Sequence, residues 1–138
     1  GQALYKYPNY ITENNNGDVV VSDRNNHSHG AVVVTSNDGM YRFSYTGYTS
    51  ESKLSPGGVC TDAFSHILVC DLSSKLVHMI NENGQFLSAW YSTGINIIWP
   101  FVLGYDNEHH LLWVGSRNPI IAAYRYISRR NYLSGMSN

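Results

Sequence analysis

A strand-like run, a polar turn and a second apolar run follow one another in PGGVCTDAFSHILVCD, residues 56–71. The same order of elements occurs in PNYITENNNGDVVVSD, residues 8–23, and in PFVLGYDNEHHLLWVGS, residues 100–116. The prolines at 8, 56 and 100 lie 48 and 44 residues apart, and the residues that close the second run, at 23, 71 and 116, lie 48 and 45 apart. Two independent landmarks thus give one period, which indicates tandem repeats.

Each repeat continues with a polar loop, a third strand, a tight turn and a fourth strand. We predict third strands at residues 31–35, 76–80 and 120–124, and fourth strands at 40–45 and 85–90. The turns Asn37-Asp38-Gly39 and Asn81-Glu82-Asn83-Gly84 supply the positive φ angles that tight hairpins need. No convincing fourth strand follows residue 124 in the third repeat.

The pattern within each repeat predicts an all-β protein. The second and third strands are near-continuous apolar runs, typical of burial on both faces, whereas residues 41–45 alternate with a period of two. These features predict a β-propeller of four-stranded antiparallel blades, of which three are visible, as the C-terminal half of a longer propeller. We expect a lead-in at residues 1–7, blades at 8–55, 56–99 and 100–127, the last of them incomplete, and a polar tail at 128–138.

Composition limits the functions that the chain can have. Its net charge of −1, from nine basic and ten acidic side chains, gives no global attraction to nucleic acid or anionic lipid. There is no apolar run of membrane-spanning length and no targeting signal, so we expect a cytoplasmic piece of a longer protein. Cys60 and Cys70 lie in apolar runs and are interpreted as buried small hydrophobes, with a disulfide as the alternative if their strands are adjacent.

The repeat pattern resembles the NHL repeat. Residues 11–23, 62–71 and 111–116 are similar to the NHL region of tripartite-motif-like proteins of invertebrates, and the likeness extends over residues 8–127. The resemblance implies the C-terminal half of a six-bladed propeller that selects substrates or RNA, behind a RING finger, B-boxes and a coiled coil in a ubiquitin ligase. The Cys/His series of a zinc finger is absent from the sequence, so ligase activity would belong to another part of such a protein.

The loops after the second strands carry the candidate binding residues. Arg24 and Arg117 begin two of these loops, and Lys75 ends the third. Equivalent positions in successive blades share a face, so these cations are predicted to lie together. Arginine, asparagine and histidine suit an acidic peptide or single-stranded RNA, with a merely soluble loop face as the alternative. The candidate residues are Arg24, Asn25, Asn26, His27, His29, Lys75, Arg117 and Asn118.

Other polar residues are given structural interpretations. Asp23 and Asp71 end the second strands and are predicted to cap backbone N–H groups of the following turns. His27 and His29, like the pair at 109–110, lack a third ligand and are interpreted as exposed loop histidines. The remaining expectations concern His78, a buried or edge histidine, and Gly57-Gly58, a turn rather than a phosphate loop. We expect no metal, no cofactor and no catalytic residue.

Three functions compete. The first is a non-catalytic module that presents its loop face to protein partners, as the substrate-recognition part of a ubiquitin-ligase-type scaffold. Near-neutral charge favours this over the second, an RNA-binding propeller. The third is a fragment of a metal-dependent propeller hydrolase or lyase, whose ligands would come from several blades. We expect the chain not to be an enzyme.

Three blades are too few to close a ring. The outer faces of the first and last blades would therefore lack neighbours, and we expect Val32, Val34, Ile120 and Tyr124 to lie on them. Apolar faces and an open strand edge promote association. The isolated chain is predicted to self-associate, either as two halves that close one ring or as an aggregate.

Overall fold

The computed structural model describes residues 3–25, 29–91, 99–117 and 120–126, and it contains strands and no helix within those ranges. Three antiparallel sheets follow one another along the chain, each with its strands in sequence order. We refer to them as blades 1, 2 and 3. Blade 1 comprises β1 (Pro8–Glu13), β2 (Val19–Arg24), β3 (Gly30–Thr35) and β4 (Tyr41–Tyr45). Blade 2 comprises β5 (Pro56–Thr61), β6 (Ile67–Asp71), β7 (Leu76–Ile80) and β8 (Phe86–Tyr91). Blade 3 comprises β9 (Pro100–Asp106), β10 (Leu111–Ser116) and β11 (Ile121–Tyr124).

The blades fan out from their first strands. β1 contacts β5, and β5 contacts β9, so the three first strands lie side by side as the inner strands of the assembly. The predicted tight turns are present, with Gly39 and Gly84 both at φ 86°. The all-β prediction of antiparallel blades is confirmed, including a third blade of three strands within the described residues. No helix in the described ranges has the length and apolar character needed to cross a membrane.

The glycine pair of blade 2 differs from its prediction. Gly57 and Gly58 lie inside β5 and do not form a turn. A Cβ on Gly58 would lie 2.7 Å from the Cα of Val102 and 2.8 Å from the carbonyl oxygen of Phe101. The glycines are there because the inner strands β5 and β9 approach backbone to backbone.

Two apolar interfaces hold the blades together. Between blades 1 and 2, one side contributes Val20, Val32, Val34 and Tyr45, and the other contributes Val59, Ile67, Val69 and Ile80. Between blades 2 and 3, the buried residues are Cys60, Leu68, Val77, Leu112 and Val114. Each described blade therefore buries one face for each neighbour that it has. Cys60 and Cys70 are both buried free thiols, as the first interpretation of them predicts.

The faces without a neighbour carry different residues from those predicted. Val32 and Val34 are fully buried against blade 2, and Tyr124 packs against the core shared by blades 2 and 3. Ile120 is half-buried and directly precedes β11. The exposed apolar residues are instead Ile11 on blade 1, at 72%, and Trp113 and Ile121 on blade 3, at 45% and 71%. The prediction was wrong because successive side chains of a strand point to opposite faces, and sequence alone does not say which parity meets the neighbour.

Asp23 and Asp71 tie each blade to the chain that enters it. The Asp23 carboxylate accepts hydrogen bonds from the backbone N–H groups of Lys6 and Tyr7, at 2.9 and 2.8 Å. The Asp71 carboxylate accepts one from the N–H of Ser55 at 2.9 Å and caps the following turn through the N–H of Ser73 at 3.1 Å. The structural role is thus confirmed for Asp71, whereas these Asp23 bonds reach the segment before β1 rather than the following turn.

Candidate binding face

The three predicted cations lie at the same end of the blades. Arg24 ends β2, Lys75 precedes β7 and Arg117 follows β10, so each belongs to a loop between a second and a third strand. The inner strands begin at this end too, since Pro8, Pro56 and Pro100 pair with Asp23, Asp71 and Ser116. We call this the loop end, and we call the opposite end, with the turns between first and second strands, the hairpin end.

Aromatic rings connect two of the blades at the loop end. The guanidinium of Arg117 lies over the Phe101 ring, 5.7 Å from its centroid. Phe101 meets Tyr10 of blade 1 edge-on, with 6.2 Å between ring centroids. Burial raises the pKa of Tyr10, while the nearby positive charge of Arg24 acts in the opposite direction. Blade 2 lies between these rings and carries glycines at the corresponding positions of β5, which leaves space for the two rings to meet.

The third cation has an aromatic partner as well. Lys75 and Trp99 both have positive φ angles, 64° and 82°. The Lys75 ammonium lies 4.7 Å from the centroid of the Trp99 ring, a cation–π distance. Trp99 is 40% exposed, so part of its surface remains open to a ligand.

The loop after β2 is partly described. The N–H of Arg24 donates to the carbonyl oxygen of Tyr7 at 3.1 Å, and the N–H of Asn25 donates to that of His29 at 2.9 Å. The Asn25 side-chain nitrogen lies 3.4 Å from His29 Nε2. The buried Arg24 Nε has no hydrogen-bond partner among the described residues. His27 and Asn118, both predicted binding residues, lie outside the described residues, as does Asn26.

Together these side chains form one surface that joins all three blades. Cations held over aromatic rings can bind carboxylate or phosphate groups while the rings present apolar surface. The aromatic partners of the cations were not predicted from the sequence. Two of them, Trp99 and Phe101, flank Pro100, which pairs with Ser116, the residue before Arg117. We call the surface the cationic–aromatic face; its members are Tyr10, Arg24, Lys75, Trp99, Phe101 and Arg117.

The hairpin end carries carboxylate–histidine pairs. Asp62 Oδ2 lies 2.9 Å from His66 Nδ1 and accepts a hydrogen bond from the hydroxyl of Tyr126 at 2.8 Å. The hydrogen bond to Asp62 raises the pKa of His66. Asp106 Oδ2 pairs in the same way with the exposed His109, at 2.7 Å. The described residues include no group of three or more side chains suited to hold a metal ion.

The histidine of β7 is buried between blades 1 and 2. His78 Nδ1 lies 2.8 Å from the Tyr45 hydroxyl, and its Nε2 lies 3.5 Å from Asp71 Oδ2, an ion-pair distance longer than a strong hydrogen bond. Burial alone would raise the pKa of Asp71. The contacts from His78, Ser74 and the Ser55 N–H prevail and hold that pKa well below its usual range. The cluster therefore stabilises the blades rather than forming a surface site.

Neither a family model nor a curated protein matches this chain. Its blades are similar to those of solved propeller-like structures. A streptogramin B lyase superposes with a TM-score of 0.60 at 12% identity, over 86% of this chain and 40% of the lyase. A catalytically inactive variant of virginiamycin B lyase from Staphylococcus aureus, solved with quinupristin, gives 0.61 at 12% identity, over 88% and 41%. Hydrazine synthase of Kuenenia stuttgartiensis gives 0.67 at 13%, over 91% and 34%.

These similarities confirm the propeller-like fold and correct one prediction. The chain spans about two fifths of either lyase, and identities this low show the fold alone. The expectation that the chain is not an enzyme is wrong. It was based on the propeller-like repeats, and blades of the same kind occur in a streptogramin B lyase, which is an enzyme. A fold that carries different functions does not assign one, so function must be argued from the site.

Proposed function

We propose that this chain is part of a propeller that binds acidic segments of partner proteins through its cationic–aromatic face. The observation that carries the proposal is the continuity of that face across blades. Arg117 lies over Phe101, Phe101 meets Tyr10 of blade 1, and Lys75 of blade 2 lies over Trp99. Three cations fixed at one end attract carboxylates locally, although the chain as a whole is nearly neutral.

The NHL resemblance suggests a setting for this binding. In that setting the face would recognise the substrates of a longer ubiquitin-ligase-type scaffold. The repeat segments at residues 11–23, 62–71 and 111–116 support this role.

A fluorescein-labelled peptide of eight glutamates tests the proposal by fluorescence anisotropy. We expect saturable binding that weakens with added salt, and a rise of about tenfold in Kd for Arg117→Gln or Lys75→Gln, because each change removes one charge-assisted contact. Arg125→Gln is the matched control, since it removes an exposed positive charge beyond β11 at the hairpin end. Equal weakening by all three variants, or no binding by the unmodified chain, would contradict the proposal.

Single-stranded RNA is the second candidate ligand. It is favoured by the partly exposed Trp99 under Lys75, because bases stack on aromatic rings beside basic groups. A labelled uridine octamer in the same assay separates the two candidates. Tighter binding of this RNA than of the glutamate peptide at equal salt would favour the RNA-binding function.

A lyase or hydrolase function is the third candidate, suggested by the fold shared with the lyases. The carboxylate–histidine pair Asp62–His66 is suited to proton transfer, since the aspartate orients Nδ1 of a partly exposed imidazole. Turnover of a substrate that is lost in His66→Gln, but retained in His109→Gln, would support this function.

A further inference from the structure

We propose that Asn83 is a site of spontaneous deamidation, accelerated by Arg42 of the neighbouring blade. In this reaction the backbone nitrogen of Gly84 bonds to Asn83 Cγ, and the side-chain nitrogen leaves as ammonia with the proton that the backbone nitrogen gives up. Water then opens the resulting succinimide ring to an aspartyl or an isoaspartyl residue. This chemistry lies at the contact between blades 1 and 2 and is independent of what the cationic–aromatic face binds.

The dipeptide Asn-Gly occurs twice in the chain, and both copies lie in the same kind of turn. Asn16-Gly17 lies between β1 and β2, and Asn83-Gly84 lies between β7 and β8. In each turn the glycine N–H donates to the carbonyl oxygen three residues earlier, at 2.9 Å for Gly17 and 3.0 Å for Gly84, and the glycine φ angles are 85° and 86°. Neither glycine has a side chain to hinder its attacking nitrogen. A difference in rate between the two sites in the folded chain therefore reports the contacts of the asparagine side chains.

The Asn83 side-chain oxygen faces a positive charge from blade 1. Arg42 Nη2 donates to Asn83 Oδ1 at 2.8 Å, and Arg42 Nη1 donates to the carbonyl oxygen of Glu82 at 3.0 Å. A guanidinium has donors only, so the atom that faces it is the amide oxygen and not the amide nitrogen. Attack on Cγ places negative charge on this oxygen. A charged donor that is already aimed at it stabilises the transition state, as an oxyanion hole does.

The Asn16 side chain is held by Asp18 instead. Its Oδ1 accepts the backbone N–H of Asp18 at 3.0 Å, and its Nδ2 donates to Asp18 Oδ2 at 3.0 Å. Arg42 pairs with the same carboxylate oxygen, which partly neutralises the Asp18 charge. The deciding difference is thus the donor at each amide oxygen, a neutral N–H at Asn16 and a guanidinium at Asn83. Charge-assisted hydrogen bonds are roughly twice as strong as neutral ones.

Deamidation would change how blades 1 and 2 meet. The turn at Gly84 lies close against blade 1, because a Cβ on Gly84 would lie 2.7 Å from Phe43 Cδ2. An aspartyl residue at position 83 would place a carboxylate opposite Arg42 and strengthen that contact. An isoaspartyl residue would instead add its β carbon to the backbone beside Phe43 and disturb the packing. The outcome depends on which bond of the succinimide water breaks.

Peptide mapping by mass spectrometry tests the proposal on the whole 138-residue chain. The chain is incubated at 37 °C and pH 8, and conversion at Asn83 and at Asn16 is followed with time. Each rate is divided by the rate of the same residue in urea, where the folded contacts are absent. We expect this relative rate to be at least about tenfold higher at Asn83 than at Asn16, a reduced figure for an oxyanion donor that is partly exposed.

A variant of Arg42 separates activation by charge from simple exposure of the turn. Arg42→Gln should slow the reaction at Asn83 about tenfold, because it removes the charged donor. If mobility of the turn governed the reaction, the same variant would speed it. Arg125→Gln is the matched control, since it removes an exposed positive charge beyond β11 and should leave the Asn83 rate unchanged.

Circular dichroism checks that both variants remain folded. If Arg42→Gln does not fold, the comparison of Asn83 with Asn16 in the unmodified chain decides. A relative rate at Asn83 no higher than that at Asn16 would overturn the proposal. So would an Asn83 rate that is unchanged or faster in folded Arg42→Gln, or equal slowing by Arg125→Gln.

Discussion

Replacing Gly58 by alanine is expected to lower the free energy of unfolding by about 3 kcal/mol or more, at the upper end of overpacking effects. The added Cβ would lie 2.7 Å from Val102 Cα, 2.8 Å from Phe101 O and 2.9 Å from Leu103 N. All three are backbone atoms, which cannot move aside as a flexible side chain does. The inner strands β5 and β9 would have to separate, and the core between blades 2 and 3 would open with them.

Urea denaturation followed by circular dichroism measures this loss. Gly104→Ala is the matched control, because its Cβ would meet no atom within 4 Å. Blade 2 holds Cys60 at the position of Gly104, so a side chain is accommodated there. We expect Gly104→Ala to change the stability by no more than about 0.5 kcal/mol. Equal stabilities of the two variants would contradict the close approach of β5 and β9.

Replacing Asp71 by alanine is expected to lower the free energy of unfolding by about 3–5 kcal/mol, as removal of one partner from a buried charged cluster does. Its carboxylate accepts hydrogen bonds from the N–H of Ser55, from the N–H and hydroxyl of Ser73, and from the hydroxyl of Ser74. The variant would leave the Ser55 N–H without this partner and His78 without its facing charge. Thermal unfolding at pH 7 measures the loss, and Asp106→Ala, at the half-exposed end of β9, should have a much smaller effect.

Lowering the pH should remove part of the stabilisation that the Asp71 carboxylate provides. The contacts hold the folded-state pKa of Asp71 below its value in the unfolded chain, so the carboxylate stabilises the fold above the unfolded pKa of about 4. This stabilisation is lost as the pH falls below that value. The stability difference between the unmodified chain and Asp71→Ala should therefore shrink as the pH falls from 5 to 2. A constant difference would contradict the charged interaction.

The fold was predictable because the same residue types recur at equivalent positions of the repeats. Prolines recur at the starts of the inner strands and glycines at the tight turns, and both restrict the backbone locally. The sequence did not predict which side chains of each strand face the neighbouring blade, because residues on either side of β3, such as Val32 and Val33, are equally apolar. Only the packing of blade 2 on blade 1 shows which of them face the neighbour.

The candidate binding face was predictable in part for the same reason. Arg24, Lys75 and Arg117 occupy equivalent loops, so the repeat alone places them at one end. The contact of Tyr10 with Phe101 joins residues of blades 1 and 3, and it depends on the absence of side chains at two positions of blade 2. Sequence spacing carries no information on such a contact across blades.

Indole N–H signals in a 1H–15N correlation spectrum test the central claim, that the loop end is the binding surface. The chain has three tryptophans, and of these only Trp99 belongs to the cationic–aromatic face. Trp113 lies on the open face of blade 3, and Trp90 packs against the core between blades 2 and 3. On titration with the glutamate peptide, we predict that the Trp99 signal shifts progressively to saturation while the other two stay in place. A Trp99 signal that does not move while Trp90 or Trp113 shifts would contradict the claim.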